Sequence, residues 1–182
     1  MILTDTHTHL YSEQFKDDID SVVKNCVDKG ITRLFLPNID SSSIKGMMQL
    51  GKDYPDNCFP MMGLHPTSVG ENYKEELAVM EEWINKQQFC AIGEIGIDLY
   101  WDTSTLEIQK TAFKHQIQLA KQYKLPIVIH CREAFNEIFE VLEAENSDDL
   151  FGIFHCFTGT LEQAKQAISY NMKLGIGGVA TF

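Results

Sequence analysis

Cys90-Ala91-Ile92-Gly93-Glu94-Ile95-Gly96-Ile97 leads into a stretch with Leu106, Phe113, Ile117, Ala120 and Tyr123 on one helical stripe, and then into Pro126-Ile127-Val128-Ile129-His130. An apolar run of strand length, a helical repeat and a β-branched run form the pattern of a β-α-β unit. Pro126 cannot continue a helix, so the helix ends ahead of it. Working outward, the same grammar recurs in apolar runs at 1–4, 31–37, 59–64, 152–157 and 173–179. Helical spacing fills the intervals: Ile19, Val22, Val23, Cys26 and Val27 before a stop at Gly30; a weaker helix over 43–54; Leu77, Met80, Trp83 and Ile84; Phe135, Ile138, Phe139 and Leu142. Thr160-Leu161-Glu162-Gln163 has the form of a capping box opening a last helix. Strict alternation implies a parallel sheet with right-handed crossovers, either an open doubly wound sheet or a (β/α)8 barrel. Seven strands are counted in 182 residues, with no linker or low-complexity stretch, so residues 1–182 read as a single domain. If it is a barrel, its last strand and closing helices are lacking.

The composition is that of a globular protein, 44% hydrophobic and 23% charged. Fifteen basic against twenty-six acidic residues give a net charge of −11, which argues against a protein that coats nucleic acid. An enzyme that grips a few phosphates through cations remains open, because bound ions reverse the local field. No apolar run approaches the roughly 20 residues of a membrane span, no signal peptide is visible, and no membrane partner is expected. Five widely spaced cysteines without a C-x-x-C read as thiols of a reducing compartment, and the expected location is cytoplasmic.

Polar residues fall at the ends of the strand-like runs. In Asp5-Thr6-His7-Thr8-His9 the two imidazoles, two residues apart, share a face and can hold one metal ion, or be loop residues with one capping a helix. Glu94 lies inside a run built like a buried strand, where a carboxylate is costly unless paired or metal-bound. Ile127-Val128-Ile129-His130-Cys131-Arg132 and Ile153-Phe154-His155-Cys156-Phe157 each run straight into a histidine. The adjoining cysteines alternate to the opposite face and read as packing residues. In a barrel, the carboxyl ends of the strands converge on one mouth. His7, His9, Glu94, His130 and His155 there match the ligand count of a two-metal site, with Glu94 the natural bridge. His65, in Gly63-Leu64-His65-Pro66, should face the same mouth as a ligand, a phosphate contact or a turn residue. Arg132 shares the face of His130 and can bind phosphate or form a rim salt bridge. Asp98 reads as a supporting residue or simply loop, and His115 as a helix-surface residue.

Asp5-Thr6-His7-Thr8-His9-Leu10, Gly63-Leu64-His65-Pro66, Gly93-Glu94-Ile95-Gly96-Ile97-Asp98, Ile129-His130-Cys131-Arg132-Glu133-Ala134 and Phe154-His155-Cys156-Phe157-Thr158-Gly159 together resemble the TatD family of metal-dependent deoxyribonucleases, in order and spacing. The resemblance runs from residue 2 to the end. It implies a TIM-like (β/α)8 barrel with about seven of eight strands in this chain, and metal-assisted cleavage of DNA phosphodiesters, often 3′→5′ on single strands. It assigns His7 and His9 to one metal ion and His130 and His155 to another, with Glu94 bridging. His65 and Arg132 correspond to positions near the substrate phosphate and are expected, with Glu94, to be catalytic. The two divalent ions are expected among Mg, Zn, Mn and Ni. The family's further aspartate, on an eighth strand, has no match here. The 182 residues alone are therefore expected to be poorly active and prone to associate. The rival readings are a small-molecule amidohydrolase or phosphoesterase of the same fold, and an inactive scaffold.

Overall fold

A computed structural model describes residues 2–182, so Met1 of the expected first strand lies outside the described residues. The strands are β1 (Leu3–Asp5), β2 (Ile31–Pro37), β3 (Cys58–Met61), β4 (Ile92–Asp98), β5 (Ile127–Arg132), β6 (Gly152–Phe154) and β7 (Met172–Leu174). Between them lie α1 (Ile19–Asp28), α2 (Ile44–Asp53), α3 (Tyr73–Lys86), α4 (Leu106–Tyr123), α5 (Phe135–Ala144) and α6 (Leu161–Ser169). The expected helix boundaries hold closely, and α6 opens with the capping box. The Thr160 hydroxyl accepts from Gln163 N–H at 3.2 Å, and the Gln163 side chain accepts from Thr160 N–H at 2.8 Å.

All pairings are parallel, in the orders β1-β2-β3 and β4-β5-β6-β7. Pro60 interrupts the ladder between the two groups because it has no N–H to offer β4. Contact there is carried by Cys90 N–H to Pro60 O (3.1 Å), Met62 N–H to Ala91 O (3.2 Å) and Gly93 N–H to Met62 O (2.9 Å). Buried Asn38 seals the same seam: its N–H reaches Gly93 O at 3.2 Å and its side chain donates to Gly63 O at 2.9 Å. Spatial order thus follows chain order from β1 to β7. A doubly wound sheet needs a reversal in strand order, so the wound-in-one-direction, TIM-barrel-like architecture is the one adopted. Curvature shows in the site: His7, just after β1, stacks on His155, just after β6, with ring centroids 3.4 Å apart. Among the described residues, β1 and β7 each pair on one side only.

Every residue of β4 is buried, as expected for a central parallel strand covered on both faces. Helix α4 packs Ala112, Phe113, Ile117 and Ala120 onto it, all essentially inaccessible. A Cβ on Gly96, whose φ is +138°, would stand 2.1 Å from His130 O, so β4 and β5 close against each other only because that residue is glycine. Phe154 of β6 is fully buried among Phe135, Phe139 and Phe157. The expected ends of the last strands are shortened. β6 stops at Phe154, before Cys156 turns into left-handed backbone (φ +43°). The run expected to continue to 179 stops at Leu174, because Gly175-Ile176-Gly177-Gly178 has too few side chains to pack and leads into a 3-10 turn at Gly178–Thr181.

Candidate metal centre

Glu94 is the middle of the site. It is 2% exposed, in the interior of β4 rather than at its end, because the strand runs on to Asp98. Both carboxylate oxygens are used. Oε2 lies 2.9 Å from His7 Nε2, 3.7 Å from His65 Nε2 and 3.8 Å from His9 Nε2, while Oε1 lies 3.0 Å from His130 Nδ1. Burial alone would raise its pKa, yet hydrogen bonds from His130 and His7 outweigh it and hold the carboxyl well below its usual range. Two triads emerge, His7–His9–Glu94 and His65–Glu94–His130, each with one donor atom per residue within 4.8 Å of the others. Thus all five residues expected at the mouth, and His65, line one cavity of about 500 Å³. His155 joins neither triad; it stacks on His7.

The far nitrogen of each ring settles what the near one offers. The Tyr11 hydroxyl donates to Pro37 O, so at 2.7 Å it accepts from His9 Nδ1–H, and the lone pair of Nε2 is left facing Glu94. His65 is the reverse: its Nδ1 accepts Thr67 N–H at 3.2 Å, so its proton sits on Nε2, which points at Glu94 and His130. His130 has a carboxylate at each nitrogen, Glu94 at 3.0 Å and Asp98 Oδ2 at 2.8 Å. Burial opposes its charge, but those two carboxylates outweigh burial and raise its pKa above the usual imidazole value. Desolvation brings His65 and His155 down to about 4, and burial, with His7 beside it, lowers His9. These rings are therefore neutral near pH 7.

One buried carboxylate among imidazoles, most held as free bases, is a donor set that suits a divalent cation. The Nδ1 of His7, buried without a partner among the described residues, is a further sign of a site whose polar atoms are not satisfied by protein alone. Arg132 does not line the cavity. Its guanidinium lies over the Tyr100 ring, 3.6 Å from the centroid, and forms no ion pair among the described residues. His115, as expected, stays outside the site on a helix, paired with Glu81 at 2.6 Å.

Several supporting residues escape a reading of spacing alone. Tyr11, Gln14 and Phe15 reach the cavity or its histidines from the segment after β1. Gln109 and Gln116 lie buried on the apolar face of α4. Gln109 clamps both backbone groups of Asp98 (2.8 and 3.1 Å), and Gln116 those of Leu64 (2.7 and 3.3 Å). Their one signal is position: seven residues apart, they share the stripe of Ala112, Phe113 and Ala120.

The chain is similar to known proteins over its whole length. The family described as TatD related DNase matches residues 4–182. An uncharacterized metal-dependent hydrolase, YabD of Bacillus subtilis, is 36% identical over all of this chain and 71% of its own length. The 3′-5′ ssDNA/RNA exonuclease TatD of Erwinia billingiae is 32% identical over 96% of this chain and 67% of its own. The crystal structure of the TatD homologue YjjV from Escherichia coli superposes with a TM-score of 0.91 at 26% identity, covering 99% of this chain and 70% of that one. The chain belongs to the family of TatD-related, metal-dependent hydrolases.

Proposed function

We propose that this chain hydrolyses DNA phosphodiester bonds, working on single strands from the 3′ end, with two divalent cations that share Glu94. The observation that carries the reading is a single buried carboxylate with one oxygen turned to His7 and His9 and the other to His130. The name borne by relatives such as that of Erwinia billingiae supports a nucleic acid as substrate. Bound there, divalent ions would supply Lewis-acid polarisation of the phosphoryl oxygens and a water of lowered pKa.

The chain's own groups have separable tasks. Glu94, held ionised, and His9, with Nε2 unprotonated, are ready as ligands, and His7 completes the first triad. His130 is oriented by Asp98 and presents Nδ1 inward. His65, neutral and protonated on Nε2, is set to donate a hydrogen bond to a non-bridging phosphate oxygen rather than to ligate. His155, stacked on His7 in the same cavity, would join His130 in holding the second ion. Five free thiols suit a reducing compartment such as the cytoplasm.

The test is hydrolysis of 3′-labelled single-stranded DNA under Mg, Mn, Zn or Ni, with and without Glu94→Ala, alongside simple amides and phosphoesters. Metal-dependent loss of the 3′ label that Glu94→Ala abolishes is expected. Turnover of the small esters with DNA untouched would instead establish the small-molecule reading.

A further inference from the structure

The loop after β4 carries two large aromatic side chains in the open: Trp101 is 72% exposed and Tyr100 49%. Their rings meet edge to face, with centroids 4.8 Å apart at 89°. Arg132 stacks on the phenol at 3.6 Å and lies 5.5 Å from the indole. Two large aromatic rings in contact and exposed side by side form a contiguous patch of the kind that marks an interaction site. Nor is the loop loosely held. Tyr100 N–H donates to Asp98 Oδ1 at 3.0 Å, Leu99 N–H to Arg132 O at 3.0 Å, and Gln109 clamps the Asp98 backbone. Asp98 is the same residue whose other oxygen orients His130. The aromatic pair is therefore fixed to the metal centre through one carboxylate.

An exposed indole, backed by a phenol and a guanidinium, is the kind of group on which nucleobases stack. The charge of the chain makes such contacts more necessary. With fifteen basic and twenty-six acidic residues, long-range attraction to phosphates contributes little, so beyond the phosphates held in the site, affinity for a strand gains from base contacts. Building on the nuclease reading above, we infer that Trp101, with Tyr100 and Arg132, is a base-stacking platform that holds a nucleotide of single-stranded DNA beside the cleavage site. Trp101 and Tyr100 then bear on strand binding and substrate choice, and Arg132 acts by bracing the phenol rather than by gripping the scissile phosphate.

The platform is tested with Trp101→Ala and Trp101→Phe on two single-stranded substrates of equal charge, an oligothymidylate and its abasic tetrahydrofuran analogue. For the oligothymidylate, Trp101→Ala should raise KM by roughly 5- to 150-fold with kcat little changed, as expected for loss of one stacked base. Trp101→Phe should recover most of it, and the abasic strand should bind wild type and variant alike. Equal effects on both substrates, or none on the oligothymidylate, would overturn the platform. Binding is also read without cleavage, in EDTA, as quenching of Trp101 fluorescence in a Trp83→Phe background. Quenching by oligothymidylate and not by the abasic strand supports the platform even where no DNA is cut, and absence of that difference rejects it. Absence of cleavage with every metal, by contrast, counts against the nuclease reading alone.

Discussion

Replacing Asp98 by alanine isolates the support of His130 from the ligands themselves. Asp98 is 2% exposed, and its carboxylate has two contacts, His130 Nε2 at 2.8 Å and Tyr100 N–H at 3.0 Å. Its backbone is held independently by Gln109, so the strand end stays in place when the side chain is removed. A hydrogen bond between charged groups contributes about 1.5–3 kcal/mol. Loss of a carboxylate behind a metal-ligating histidine typically costs about 10- to 100-fold in metal affinity, or about 1.4–2.8 kcal/mol. The two scales agree, so Asp98→Ala should weaken Zn or Mn binding by one to two orders of magnitude. Asp98→Asn, which retains an acceptor and loses the charge, should fall between. The assay is competition with a chromophoric chelator at mildly alkaline pH, where protons compete little for His130 Nδ1. Thermal unfolding in EDTA gives the metal-free contribution, about 2–4 °C for each kcal/mol in a chain of this size. Unchanged metal affinity in Asp98→Ala would refute the role assigned to the pair, whatever the change in stability.

Tyr11→Phe removes the acceptor of His9 Nδ1–H and the donor to Pro37 O; it should lower metal affinity about tenfold and the unfolding midpoint in EDTA by only a few degrees, both measurable in the same titrations. Phe154→Ala empties a fully buried site among three phenylalanines and should cost about 3–5 kcal/mol in urea unfolding; a loss below about 1 kcal/mol would mean the cluster is not the packed core described. In metal-free protein, His65 and His155 take up protons only near pH 4 when folded but near 6.5 when unfolded. Unfolding then binds protons, so their contribution is fully present above about pH 6.5 and is lost as the pH falls towards 4. Stability measured in EDTA should decline over that window, with the lowered His9 adding in the same sense, whereas the raised pKa of His130 acts above about pH 6.5, where its contribution is lost as the pH rises through its folded value. A flat profile would count against burial of the two neutral rings.

The fold was legible where burial on both faces leaves a continuous apolar run. β2 is read at its true bounds from Ile31-Thr32-Arg33-Leu34-Phe35-Leu36-Pro37, and α4 from its apolar stripe and the proline beyond it. It was illegible where glycine replaces side chains, as after Leu174, since a strand with nothing to pack gives no pattern and holds no ladder. The site was legible to the level of residue type: six positions read from the ends of strand-like runs do line one cavity. Their roles were not, because a histidine is the same residue in sequence whether it gives a lone pair or a proton. That choice is made by the group on the far side of the ring. Tyr11, anchored to Pro37 across 26 residues, turns His9 into a lone-pair donor; Thr67, a turn neighbour, turns His65 into a hydrogen-bond donor; Asp98, from the adjoining strand, favours the charged form of His130 and orients its ring. Arg132 shows the same dependence, since alternation along β5 gives its face, and only the neighbouring loop gives it the Tyr100 ring to stack on. Division of labour among chemically identical rings is thus a property of the contacts around each ring, and variants of Tyr11 and Asp98 should redistribute those roles while leaving every histidine in place.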